Sequence, residues 1–567
     1  MPTTIVSPGV AINVNDNSAV TSQPIQAGAA IIGPTVKGPV GIPTVVTTYS
    51  EYQNQFGDIL VSGSQTYSYL TSISAYNYFN NGGSSLLVTR VVSGSFTPAT
   101  ASIQTAFVLE TLSEGEIMNS VGSEDSSGYL TNGTADNYRW QIVSPNTATG
   151  TFSLLIRKGN DSTATPSTIE THTNLSLDPF SSNYIEKRIG NSIENVAVDS
   201  GEYYLELTGS YPNNSKYVRV KQVLTPTPNY LDNAGSPQTG YAAKIPVAGR
   251  GAFGGATGKN TPTGYAASYY EAINDSNTQG IPASAYTQSI ALLANKDSYR
   301  YNFITVPGLI GRSSFTNHFN VINTRLIPMI IGRGDTMAVI DIVEYGQNLT
   351  TTDNAAAAFD TSFVATYWPW AQTIDPATGQ NVWVPASTLI PGVYMASDRV
   401  SYPWIAPAGT NRGIMANVTR VERVITQSGR DTLYEANVNP LATLPGYGVV
   451  VYGQKTLQKK NTALDRVNVR RLLIELNNYI GQIAQSLVFE QNTSATRNEF
   501  LAQVNPYLST IQQQQGLYDF NVVMDDTNNT PTVIDNNQLV GQIYIQPTKT
   551  SEFILLEFNI LPTGVTI

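Results

Sequence analysis

The chain has 567 residues, too many for one ordinary hydrophobic core, so several domains are expected. Its hydrophobic share is 41% and its charged share only 13%, well under the roughly 25% of an average globular protein, so the surface must be built largely from uncharged Ser, Thr, Asn, Gln and Tyr. A formal net charge of -10 argues against a general nucleic-acid binder, and the absence of cysteine excludes disulfides, thiolate metal sites and a cysteine nucleophile.

The first residues lack a basic region followed by an apolar stretch, so no signal peptide is expected, and no run approaches the roughly 18 apolar residues of a membrane helix. Residues 1–22 carry one charged side chain, Asp16, and Val10, Ile12 and Val14 alternate with polar or small residues at the period of a strand. An isolated strand cannot bury its apolar face. It either edges the first domain or acts as an arm that adds to the sheet of another subunit.

From Ala27 to about Val92 the pattern is α/β. Ala29–Gly33, Thr44–Thr47 and Leu86–Val91 read as strands. Tyr49–Phe56 and Gln65–Phe79 read as helices, the second ended by Asn80-Asn81-Gly82-Gly83. Residues 94–240 turn rich in Ser, Thr, Asn and Gly, with short alternating runs such as Phe152–Arg157 and frequent turn signals, as in an inserted all-β module that projects outward. The α/β character returns after Tyr241, with strands at Asn302–Gly308, closing in a turn, and at Met337–Asp341.

The segment after Gly446 opens with the apolar run Gly448–Tyr452. A helix is expected from about Ala463 to Phe489, with Leu464, Val467, Leu472, Leu476, Tyr479, Ile480, Ile483 and Leu487 near helical spacing. Thr496-Arg497-Asn498-Glu499 reads as a capping box for a second helix, kinked at Pro506 and stopped near Gly516. Strands at Phe520–Met524 and Gly541–Ile545 flank an Asp/Asn-rich hairpin turn, and Phe553–Leu561 reads as a final apolar strand preceded by Glu552.

Catalytic and metal-binding patterns are poorly represented. His172 and His318 fall in different expected domains and read as ordinary surface or loop histidines. Gly249-Arg250-Gly251-Ala252-Phe253-Gly254 satisfies Gly-x-Gly-x-x-Gly, but Pro246 precedes it and Gly255 and Gly258 prolong the flexible run, so a loop is expected instead of a dinucleotide site. Asp525, Asp526, Asn528 and Asn529 lack the spacing of a calcium loop. No Gly-x-Ser-x-Gly elbow occurs, and nothing singles out a carboxylate pair, so no catalytic residue, cofactor or metal is assigned. Between Lys455 and Arg471 lie Lys455, Lys459, Lys460, Arg466, Arg470 and Arg471, opposed by Asp465 alone. Such a run is either a solvated helix start with local ion pairs or a face for an acidic partner.

Several ordered segments carry a resemblance: Tyr367-Trp368-Pro369-Trp370, Trp383-Val384-Pro385-Ala386-Ser387, Gly392-Val393-Tyr394, Ala406-Pro407-Ala408-Gly409, Asn468-Val469-Arg470-Arg471-Leu472, Phe489-Glu490-Gln491-Asn492 and Asp525-Asp526-Thr527-Asn528-Asn529-Thr530-Pro531. In this order they resemble the contractile-tail sheath proteins of bacteriophages, and the Gly249–Gly258 run resembles that family's glycine-rich loop. The resemblance implies a multidomain α+β or α/β protein: an arm at 1–22, an α/β middle domain from 23–93 plus 241–440, an inserted all-β outer domain at 94–240, a C-terminal sheath domain at 441–550 and a terminal arm strand at 551–567. It implies a structural protein and not an enzyme. Copies would form a six-fold helical polymer around the tail tube protein, joined to baseplate and tail terminator proteins, without direct nucleic-acid contact or membrane insertion, in a virion tail assembled in the host bacterial cytoplasm.

Carried onto this sequence, the inter-subunit arms fall on Val10, Ile12 and Val14 and on Phe558, Ile560 and Leu561. The tube-facing candidates are Lys455, Lys459, Lys460, Arg466 and Arg470. Three buried apolar side chains give roughly 5–9 kcal/mol gross against association costs of order 4–15 kcal/mol, so single arms are marginal and many repeated ones are cooperative. The sheath of an R-type bacteriocin or another contractile injection particle is the close alternative. A secreted β-rich adhesin is the rival from another class, and a virion-borne glycosidase a third.

Overall fold

The computed structural model describes residues 25–62, 65–260 and 269–553. The expected arm residues Val10, Ile12, Val14, Phe558, Ile560 and Leu561 lie outside the described residues.

The body is organised on one eight-stranded sheet made of β1 (Ile25–Gly33), β2 (Thr44–Val46), β3 (Leu86–Arg90), β4 (Tyr299–Ile310), β5 (Met337–Asp341), β6 (Val364–Trp368), β7 (Asn439–Leu444) and β8 (Gly448–Val451). Their order is β2-β3-β1-β4-β5-β6-β7-β8. β3 through β7 run parallel and the two edges are antiparallel. Parallel strands covered on both faces are predominantly apolar, and β3, β5 and β6 are buried at every position, their few polar residues such as Arg90 and Asp341 held by hydrogen bonds. The period of two sorts their side chains into two cores: Ala29, Ile31, Met337 and Val339 on one side, Ala30, Ile32, Ala338 and Ile340 on the other. Helices α1 (Leu70–Asn80) and α2 (Ile390–Val400) cover the first side, where Phe303 meets Tyr78 and Tyr394 edge-on. The strand order reverses between β1 and β4, the position where open α/β sheets hold ligands. Here fully buried Gln279 occupies it, accepting from the Leu70 N–H at 2.8 Å.

Three local expectations change. Gln65–Tyr67 is a strand paired with Leu60–Ser62, and the helix begins only at Leu70. Its first N–H is capped from afar by Gln279, a signal that local sequence does not carry. β4 does not turn at Gly308 but continues to Ile310, its register shifting beyond Thr305. β8 is an edge of the central sheet, antiparallel to β7, so the expected boundary at 441 cuts through a hairpin whose apolar side chains need this sheet.

The chain leaves the sheet after β3 and re-enters at β4. Between them, strands Pro98–Ile103, Phe107–Glu114 and Val218–Val223 form one antiparallel sheet. Tyr138–Asn146, Thr151–Lys158, Thr168–Ser176 and Gly249–Ala252 form another. They share a core of their own around Phe107, Phe152, Leu154 and Tyr138. A short helix, Ile185–Ile189, belongs to the same core, so this segment is not purely β, and its strands extend past the expected boundary at 240. The segment is bolted to the body. Lys37 and Asp136 pair at 3.5 Å in a buried setting, Lys216 pairs with Glu51, and Val196, Tyr203 and Leu205 pack against the second core. Burial holds the Lys37 ammonium below its ordinary pKa despite the neighbouring Asp136 carboxylate.

The C-terminal region consists of helices α3 (Val467–Ser486) and α4 (Ser494–Gln513) and a hairpin of β9 (Leu517–Val523) and β10 (Gln542–Pro547). α3 starts later than expected because Arg466 is extended and bridges Lys455, while Val467 N–H donates to the Gln454 carbonyl at 2.8 Å. α4 is capped by Thr493, whose hydroxyl accepts from the Thr496 N–H, so the expected capping box lies inside the helix. Pro506 lies within α4, and Gly516 N–H closes its end on the Ile511 carbonyl. The link from β9 to β10 is no tight turn, since it contains helix Pro531–Asp535.

Candidate inter-subunit interface

The α3–α4–hairpin unit holds most of the C-terminal signature residues, and the structure gives them internal work. Asn468 donates to the Trp404 carbonyl at 3.2 Å. Arg470 is buried, stacks over the Phe363 ring at 3.8 Å and donates to the Ser362 carbonyl. Arg471 pairs with Asp398 of α2 and lies over Tyr394, whose hydroxyl meets that of Tyr367 at 2.8 Å. Adjacent arginines thus staple α3 to two separate parts of the body. Burial lowers the Arg470 pKa to about 10.

The polar signatures fold the hairpin link. Asn529, almost fully buried, grips Val540 from both sides: its amide donates to the Val540 carbonyl at 2.8 Å and its oxygen accepts the Val540 N–H at 2.9 Å. Asn492 donates to the Gln538 carbonyl and accepts from Arg497, which pairs with Asp526 at 2.6 Å. Asp525 accepts from Thr527 N–H at 2.8 Å, as an Asx turn requires. Phe489, in contrast, has a left-handed φ of 73° and is fully exposed.

The hairpin turns Phe520, Val522, Ile543 and Ile545 toward the α3–α4 core and leaves Asn521, Tyr544 and Gln546 outside. Among the described residues each of its strands pairs only with the other, so each presents one edge without a backbone partner. An open edge over a half-buried apolar face is a template for a further strand.

Of the five cationic candidates, the structure exposes Lys459 and Lys460. Lys459 Nζ donates to the Ala357 carbonyl at 2.7 Å. Arg470 is buried against Phe363 and Ser362, and half-buried Lys455 and Arg466 belong to a second arrangement. Lys455 Nζ sits 4.1 Å over the Tyr434 ring and donates to the Tyr434 carbonyl. Arg466 Nε donates to Glu552 at 2.8 Å, Gln454 Nε2 donates to the same carboxylate at 3.0 Å, and the Tyr434 hydroxyl is its third donor. Glu552, Tyr434 and Gln454 did not emerge as site residues from the sequence. The one available signal is a lone carboxylate directly before an apolar strand.

The remaining motifs are structural. Gly249–Ala252 is not a loop but a strand on Arg139–Ile142, where glycine is needed because a Cβ on Gly251 would come within 2.6 Å of the Trp140 indole. His318 is not at the surface. It is fully buried, accepts the Ile310 N–H through Nδ1, and burial lowers its pKa to about 4. His172 lies on strand Thr168–Ser176, 3.1 Å from Glu170. No group of three or more His, Asp or Glu suited to a metal ion occurs among the described residues, and no helix among them is long and apolar enough to cross a membrane.

Residues 459–561 match the family described as the phage tail sheath C-terminal domain. The chain is 36% identical over 234 residues to the tail sheath protein of Vibrio phage KVP40, covering 41% of this chain and 35% of that protein. It is 40% identical over 184 residues to the tail sheath protein of Enterobacteria phage T4, covering 32% of this chain and 28% of that one. The matched segments thus span about a third of these curated relatives. The crystal structure of a sheath tail protein from Listeria innocua shares the fold at a TM-score of 0.50 and 10% identity, over 92% of this chain and 95% of that one.

Proposed function

We propose that this chain, whose residues 459–561 carry the phage tail sheath C-terminal domain, is the structural subunit of a contractile tail sheath. It performs no chemistry of its own. Copies polymerise as stacked six-fold rings around the tail tube, meet the baseplate and terminator at the two ends, and form a virion component assembled in the host bacterial cytoplasm. Contraction, triggered at the baseplate, drives the tube through the host envelope by repacking largely rigid subunits from a kinetically trapped extended state.

One observation carries this reading: the family match falls on the unit that contains an open-edged hairpin. The terminal arms (residues 1–22 around Val10, Ile12 and Val14, and 551–567 around Phe558, Ile560 and Leu561) supply strands to that hairpin in sister copies. The sheet body, including the β7–β8 hairpin, and the α3–α4 unit form the inner shell. The inserted segment, from about 94 through the strand Gly249–Ala252, lies outermost. Lys459 and Lys460 are the exposed cations left to face the tube.

Purified full-length chain, concentrated and viewed by negative-stain microscopy, is expected to form striated hollow cylinders. Deleting residues 1–16 is expected to leave a folded monomer that makes none. Cylinders of normal length from the deleted chain would refute the arm model.

A further inference from the structure

We propose that Glu552 is the positioning residue of the C-terminal arm: its carboxylate, held by Arg466, Gln454 and Tyr434, restrains residues 548–553 and so sets the point from which the proposed arm is offered to a sister copy. This rests on the polymerising-subunit reading of the chain.

After β10 ends at Pro547, residues 548–553 have no regular structure, and separate bonds hold them. Thr548 N–H donates to the Gly516 carbonyl at 3.1 Å, Asn468 reaches the Thr550 hydroxyl at 3.4 Å, and Glu552 then meets its three donors. Those donors come from helix Gln427–Glu435, from the residues after β8, and from the residue that opens α3. Their places are already set without Glu552: Leu433 is in the second core, Val451 and Val467 are in the first, and Lys455 Nζ already holds the Tyr434 carbonyl. A half-buried carboxylate five residues past β10 adds nothing to either core. Its effect is to restrain residues 548–553. Phe553 supports this, its ring edge-on to Tyr434 with centroids 6.0 Å apart while the residue stays 79% exposed.

The local charge is balanced for the purpose, Arg466 and Lys455 standing against Asp465 and Glu552. The basic run that the sequence offers to an outside partner therefore spends Arg466 on the chain's own C-terminal strap and Lys455 on Tyr434, which helps to hold it. Restraining residues 548–553 in the free subunit removes part of the ordering cost that association otherwise bears, as preorganisation does in general.

The test compares full-length wild type, Glu552→Ala, Arg466→Glu, the swap Arg466→Glu with Glu552→Arg, and a chain lacking residues 554–567. Three quantities are read: monomer Tm, amide exchange at residues 548–553, and the critical concentration for cylinders by pelleting and microscopy. Glu552→Ala is expected to keep Tm within about 2 °C, to speed exchange in the strap about tenfold and to raise the critical concentration about tenfold. The swap is expected to restore most of what Arg466→Glu loses, which a merely destabilising change does not do. If Glu552→Ala assembles at the wild-type concentration while the truncated chain fails, the positioning role is overturned and the arm reading stands. If the truncated chain assembles normally, both fall. Should Glu552→Ala unfold the monomer, the swap decides, and a folded swap that assembles no better than Arg466→Glu overturns the proposal.

Discussion

Asp341 ends β5 inside the body, with Ser387 donating to it through both its N–H, at 3.0 Å, and its hydroxyl. Burial nonetheless pushes its carboxyl up to about 7, the serine hydrogen bonds opposing the shift. A raised acid binds its proton more tightly folded than unfolded. Its contribution to stability is therefore complete below the ordinary aspartate range and is lost as pH rises toward about 7. Asp341→Asn keeps an oxygen for the Ser387 N–H and removes the charge. Urea unfolding is expected to show the variant gaining on wild type by on the order of 2–4 kcal/mol between pH 4.5 and 8, with no further change above. An unchanged difference across that range would place the ionised carboxylate in a better-solvated setting than its burial indicates. Ser387 belongs to the Val-Pro-Ala-Ser segment, so that segment's presence was legible while its task of satisfying a buried acid from another strand was not.

At the scale of elements, α3 and α4 were readable because apolar residues recur at helical spacing, and the parallel strands because most of their residues are apolar in short runs. Their ends were not. The start of α1 depends on Gln279, some 209 positions away, and the start of α3 on a bridge from Lys455 to Arg466. The same reason hid the carboxylate clasp: its donors lie 86 to 118 positions from Glu552, beyond any local pattern. The α3–α4 unit has its own core, with Leu508 fully buried among Phe500, Val504, Ile511 and Trp404. Leu508→Ala is expected to cost about 2–5 kcal/mol. Trp404, whose indole donates to the Gln514 carbonyl at the end of α4, offers a local readout in an unfolding series. A loss under about 1 kcal/mol would mean that the unit collapses around the void, and that the hairpin platform is softer than its packing implies.

For the whole molecule, electrostatics opposes association between copies. The formal charge of -10 understates the surface, because burial among the described residues removes Lys37 and seven arginines against six carboxylates. In the proposed sheath, contacts between copies are expected to come from backbone pairing at open strand edges and from apolar burial, neither of which screening weakens. Raising NaCl from about 20 to about 200 mM shortens the Debye length from roughly 20 to roughly 7 Å, so repulsion between like-charged bodies falls while strand addition is untouched. The critical concentration for cylinders of purified chain is expected to drop several-fold over that range. Direct attraction between Lys459 or Lys460 and acidic groups on a neighbouring copy would drive it the opposite way. A critical concentration that climbs with salt, and stops climbing when both lysines are replaced by glutamine, would move the source of cohesion from the strand edges to that exposed pair.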